Sequence, residues 1–193
     1  HRMKILISSS KNQHLLGPQY LQGFIEKGLE AYGTCYGDVA KEKINYSFVN
    51  KVLLKLVPFY FYQDSNEILL KDVNLFKPDI LVILKGMEIF PETLIKIKEK
   101  GIKLVNYNLD HPFRFAGSGS GNKYVLNSIP LYDLHISYSK EIIKELNVKY
   151  PGIATEYLPF GYHSYVDDLE FSSEEIIKVC FIGHADKKRY KIV

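Results

Sequence analysis

The chain has 193 residues, 46% of them hydrophobic and 24% charged, with a formal net charge of +3. This is the composition of a globular protein of one large domain, or of one domain and part of a second. The charge is too small and too scattered to imply a nucleic-acid partner.

His1-Arg2 reads as the remnant of a tag ahead of Met3. Lys4–Ser8 is predicted to be a buried strand, and its apolar run is too short for a signal peptide. The polar loop Ser9–Gln19 follows. Leu21, Phe24, Ile25, Leu29 and Tyr32 recur at helical spacing, so a helix is expected up to Gly33, with residues 34–43 as loop. Residues 44–76 are predicted to be helical in two pieces, broken near Pro58. Val52–Tyr62 (VLLKLVPFYFY) is unusually apolar and aromatic. Core or interdomain packing is its first reading; a peripheral membrane or lipid-acceptor surface is its second.

Ile80–Leu84 reads as a buried strand, Gly86 as a turn, Pro91–Lys100 as a helix stopped by Gly101, and Lys103–Asn108 as a second buried strand. A long loop over 109–122 leads to a short helix, Lys123–Ser128. Leu134–Tyr138 is predicted as a strand, Ser139 as the cap of a helix ending near Asn147, and Thr155–Leu158 as a further strand. After a polar, acidic stretch, Lys178–Ile182 reads as a strand, followed by Gly183-His184 and a basic helix-like end. The chain stops one or two turns into that helix, so a truncated second domain is expected. Strands alternating with helices imply an α/β fold, a Rossmann-like parallel sheet flanked by helices. No segment reaches the ~18 apolar residues of a membrane span. Cys35 and Cys180 form no motif. A cytoplasmic protein is the expectation, with peripheral membrane association as the variant that Val52–Tyr62 raises.

Ligands of open parallel sheets bind beyond the carboxyl ends of the strands. Asp110-His111-Pro112 stands at such an end. A carboxylate or an imidazole there can take a proton from a hydroxyl, so Asp110 and His111 are the catalytic candidates. A turn-forming Asp before His-Pro is the competing reading. Gly86 is expected to turn the chain so that Glu88 faces the cleft, where it can bond a polar ligand such as a sugar; a solvated turn charge is the competing reading of equal weight. Ser9, His14 and Arg114 complete the acceptor-side set, and Ser8, Ser10 and Gly17 lie in the same first loop as Ser9 and His14.

The loop GSGSGNK (Gly117–Lys123) fails both the P-loop and the dinucleotide spacing, because Asn122 stands where a glycine is required. A flexible surface loop is its first reading. The histidines show no metal spacing, and there is no D-x-D and no G-x-S-x-G. No metal and no bound cofactor are therefore expected.

The phrases PDILVILKG, FPETLIKIKEKGIKLVNYNLDHPFRF, NSIPLYDLHISYS, YLPFGYH and KVCFIGHADKKRY follow in this order. As a set they resemble glycosyltransferases of the GT-B fold, and among these the CgeB-like, spore-maturation-protein-type group. The resemblance covers most of residues 77–193. It implies a Rossmann-like acceptor-side domain over 3–165, a linker over 166–177, and the start of a donor-side domain over 178–193. Gly183, His184 and Arg189 would then lie near the donor phosphates. The family commonly has an acidic residue where His163 stands, and a second Asp where His111 stands. The implied reaction is metal-independent transfer of a sugar from a nucleotide-sugar, used as co-substrate, to a hydroxyl of a glycan, protein or lipid-linked acceptor, in bacterial surface glycan or glycoprotein synthesis. The fragment alone is expected to be inactive. Oligomeric state is not legible. The rival expectation is a non-catalytic Rossmann-like binding or partner module.

Overall fold

A computed structural model describes residues 2–13, 15–115 and 120–161. Its centre is a six-stranded sheet in which every neighbouring pair is parallel. The elements run β1 (Lys4–Ser8), α1 (Leu16–Glu26), β2 (Glu30–Thr34), α2 (Tyr36–Asn45), α3 (Phe48–Leu56), α4 (Pro58–Phe76), β3 (Ile80–Leu84), α5 (Pro91–Lys98), β4 (Lys103–Asn108), α6 (Lys123–Ser128), a short 3-10 turn, β5 (Leu134–Ser137), α7 (Lys140–Lys149) and β6 (Ala154–Tyr157). The fold is the α/β, Rossmann-like class expected from the alternation of strands and helices.

The strand order is β2-β1-β3-β4-β5-β6. The chain steps outward from β1 to β2, then crosses back to place β3 on the other side of β1. This reversal is the topological switch point, the place where such sheets leave a crevice at the carboxyl ends of the strands.

The central strands are apolar because helices cover the sheet. Leu6, Leu81, Ile83 and Leu104 are fully buried and pack with Leu69 and Val73 of α4 and Leu94 and Ile97 of α5. Each such side chain contributes about 1.5–3 kcal/mol of burial. A second cluster joins Ala40 of α2, Phe61 and Tyr62 of α4, and Phe90 before α5. Local signals set the helix starts. Pro58 and Pro91 occupy the first turns of α4 and α5. Asn122 caps α6 by accepting the Tyr124 and Val125 N–H groups, at 3.0 and 3.2 Å.

Three expectations need correction. The helix expected up to Gly33 ends at Glu26, and Glu30–Thr34 is strand β2. Gly28, at φ +76°, breaks the helix, and Leu29 and Tyr32 fall on the helical spacing by coincidence. Second, residues 34–43 are not loop: α2 runs from Tyr36 to Asn45. Third, Val52–Tyr62 is not core throughout. Phe61 and Tyr62 are buried, whereas Val52, Leu53, Leu56, Val57, Phe59 and Tyr60 are exposed. The break at Pro58 falls where it was expected. The linker over 166–177 and the strand over 178–182 lie outside the described residues.

Candidate functional site

A cleft of about 910 Å³ opens at the switch point. Its floor is the carboxyl end of β1 and β3, and its walls come from the loops after these strands and from α2 and α3. The first wall exists because helix α1 starts against the strand. A Cβ on Gly17 would stand 2.3 Å from the Ser8 carbonyl oxygen and 2.8 Å from the Ser9 Cα. Only glycine permits that approach, which brings Ser8, Ser9 and Gly17 together on the cleft. Asp38 of α2 fixes the rest of the loop. Its carboxylate accepts the Ser10 hydroxyl at 2.8 Å and the Lys11 N–H at 2.7 Å.

The opposite wall is the turn after β3. Lys85 and Gly86 both take positive φ, +65° and +86°, and this reversal carries Glu88 into the cleft. Asn66 of α4 holds the turn. Its amide donates to the Glu88 carbonyl at 2.8 Å, and its oxygen accepts the Phe90 N–H at 2.9 Å. Asn122 donates to the Met87 carbonyl at 2.8 Å. Across the cleft, a Cβ on Gly37 would stand 3.9 Å from the Glu88 carboxyl carbon.

Glu88 is the chemically distinctive group here. Burial pushes its pKa above the ordinary carboxylate value. Its own backbone N–H and the charges of Lys41 and Lys85 pull the other way without reversing the shift. Tyr36 lies beside it, and burial with the Glu88 charge drives that phenol well above its usual range. A carboxyl group raised in this way holds a proton more readily than an ordinary carboxylate, as a group that takes a proton from a hydroxyl must. Lysines 41, 51 and 55 add positive charge to the same walls.

The structure separates the two residues that lead the sequence reading. Asp110 forms an ion pair with Lys85, the cleft residue at the end of β3. Its neighbour Leu109 lines the cleft; Asp110 itself stands at the rim. His111 turns to α7. Its Nδ1 accepts the Phe113 N–H at 3.3 Å, which leaves the Nε2 hydrogen for Glu145 at 3.3 Å. Arg114 joins the same carboxylate at 3.5 Å, away from the cleft lining. The Lys149 hydrogen bond holds the Glu145 carboxyl below its usual range, and Arg114 and His111 add to this. Ser9, Gly86 and Glu88 are thus brought to one place, with Gly86 buried beneath the turn. Asp110 is tied to that place through Lys85, and His111 and Arg114 form a separate cluster. His14, Gly183, His184 and Arg189 lie outside the described residues.

Sequence reasoning missed Tyr36 and Lys41, because α2 was expected to be loop. It also missed Lys51 and Lys55, whose i,i+4 spacing in a stretch without acids was an available signal. Among the described residues, no group of three His, Cys, Asp or Glu side chains stands together to hold a metal ion. No described helix is long and apolar enough to cross a membrane. Compared with protein-family models and with the curated proteins, the chain matches none.

Proposed function

We propose that this chain is the acceptor-side part of a metal-independent glycosyltransferase and that the β1/β3 cleft receives the acceptor hydroxyl. One observation carries the reading: a carboxylate with an upward-shifted pKa, Glu88, in the wall of a cleft of about 910 Å³ at the carboxyl ends of parallel strands. The sequence resemblance to CgeB-like proteins supplies the donor class, a nucleotide-sugar, and a setting in bacterial surface glycan or glycoprotein synthesis.

In this reading Glu88 takes the proton of the acceptor hydroxyl. The oxygen forms its bond to the anomeric carbon of the sugar, and the bond from that carbon to the nucleotide diphosphate breaks, the electron pair leaving with the phosphate. A base acting on the attacking hydroxyl fits direct displacement with inversion. Lys85 steers the charge of Glu88, and Asp110 holds Lys85 in place through their ion pair. Gly183, His184 and Arg189 belong to the donor side of the same proposal.

A second reading, a non-catalytic binding module, has one observation in its favour. Both residues of Asp110-His111 are engaged by side chains of the fold, Lys85 and Glu145. Calorimetric titration of a nucleotide-sugar panel into the full-length gene product separates the two. Preferential binding of one nucleotide is the expected result. Heat from no nucleotide or nucleotide-sugar would remove the transferase reading and leave the binding module.

A further inference from the structure

Helix α3 carries no buried residue at all. It is nonetheless fixed to the body. Leu54 packs against the Ala40, Phe61, Tyr62 and Phe90 cluster, and Asn50 donates to the Lys43 carbonyl at 2.7 Å. The rest of α3 faces the cleft or solvent, and its neighbours Tyr46, after α2, and Tyr60, in the first turn of α4, extend the exposed side. Tyr46 is 88% exposed, Phe48 80%, Leu56 73% and Tyr60 60%. Nine of the twenty exposed large apolar residues among those described fall between Tyr46 and Tyr60. Clustering of this kind marks an interaction surface, whereas scattered exposed apolar residues are ordinary.

The charge pattern says what covers it. Residues 44–63 contain two lysines, Lys51 and Lys55, and no Asp or Glu. The flanking acids along the chain, Glu42 and Asp64, are paired with Lys11 and Lys43, each at 3.3 Å. Exposed aliphatic and aromatic side chains thus adjoin two lysines at the cleft-facing edge of α3, neither of them paired with an acid among the described residues. A two-fold pairing of this face would bring four lysines and no acid of residues 44–63 into one interface. An anionic bilayer instead neutralises them and accepts the apolar side chains at the level of its headgroups.

We propose that α3 and the first turn of α4 form an interfacial anchor that docks this protein on anionic phospholipid bilayers. Val49, Leu53 and Leu56 share one side of α3, at i, i+4 and i+7, and would enter the bilayer. Phe48, Lys51, Val52 and Lys55 line the cleft. The cleft mouth consequently opens at the membrane surface, and a ligand carried in that surface reaches Glu88 without crossing bulk water. The anchor does not depend on the transfer reaction.

Flotation of the full-length protein with vesicles of phosphatidylcholine alone, and of phosphatidylcholine with phosphatidylglycerol in equal parts, tests the proposal. Binding is expected only to the anionic vesicles, and to weaken with salt. Lys51→Gln with Lys55→Gln should lower partitioning about 25-fold, about fivefold for each lysine. Leu53→Ser with Leu56→Ser should lower it by about tenfold or more. Lys96→Gln with Lys100→Gln, exposed positions near α5, should leave it unchanged. All variants alter exposed side chains and should keep the circular dichroism of the parent. Absence of vesicle binding, equal binding to both vesicle types, or an equal loss in the Lys96/Lys100 variant would overturn it. So would a concentration-dependent dimer abolished by Leu56→Ser, which would assign the patch to a second copy of the chain.

Discussion

The Tyr36 hydroxyl lies 2.9 Å from the Ser8 hydroxyl, joining the first turn of α2 to the carboxyl end of β1 beneath the cleft. Ser8 Oγ also accepts the Leu84 N–H at 3.2 Å. One serine thus ties α2, β1 and β3 together at the switch point. Tyr36→Phe removes one of these bonds in a buried place and should cost about 1 kcal/mol, measured by urea unfolding. Ser8→Ala also leaves the Leu84 N–H without its acceptor and should cost more, about 1–3 kcal/mol.

The Glu88 carboxyl has a definite signature against pH. Its folded-state pKa lies above the ordinary value of 4.5, so the folded chain holds this proton more tightly than the unfolded chain. The corresponding stability is fully present below the unfolded value and is lost as pH rises through the folded one. Glu88→Gln cannot ionise and should lose nothing over that range. Thermal unfolding of both proteins across this range should therefore show the variant gaining on the parent as pH rises. A constant difference would mean that burial does not shift this carboxyl.

Gly17 is placed where a side chain has no room. The Cβ of Gly17→Ala would meet the Ser8 and Ser9 backbone at 2.3 and 2.8 Å, and backbone cannot move aside as a flexible side chain can. Overpacking of this kind costs about 1–3 kcal/mol. The variant should unfold at lower urea. It should also bind cleft ligands more weakly, because relief of the clash moves α1 away from β1.

Asn66 is a positioning residue for the turn that carries Glu88. Asn66→Ala strips the Phe90 N–H of its acceptor and the Glu88 carbonyl of its donor, both at short range. About 1–3 kcal/mol of stability should be lost. The pH dependence assigned to Glu88 should shrink in the same variant, since a looser turn lets water reach the carboxyl. A loss of stability with an unchanged pH dependence would confine Asn66 to a packing role.

The β3–α5–β4 unit was legible nearly to the residue. Strand β3, ILVIL, reads as a continuous apolar run, β4 shows its Leu104-Val105 centre, and Pro91 and Gly101 are local start and stop signals. Strand β2 was not legible. Its sequence, EAYGT, carries neither alternation nor β-branched bulk, and its order comes from pairing with β1 along Lys4–Ser8. Glu88 could be placed on the cleft because the Gly86 turn is local. The cleft itself could not, since it depends on β3 lying beside β1, a relationship between residues more than seventy positions apart. Asp110 and His111 look like one unit in sequence, but side chains of consecutive residues diverge, and these two reach Lys85 and Glu145 on different elements.

The most direct measurement is sugar transfer from the preferred nucleotide-sugar by the full-length protein, its Glu88→Gln variant and its Asp110→Asn variant, with donor affinity measured alongside. Loss of a general base costs about 10²–10⁴-fold in rate. Glu88→Gln should lose transfer on that scale while keeping donor affinity, and Asp110→Asn should lose less, since it acts through Lys85. Undiminished transfer by Glu88→Gln would contradict the assignment of Glu88 as the base. Absence of transfer from any nucleotide-sugar by the unaltered protein would contradict the transferase reading itself.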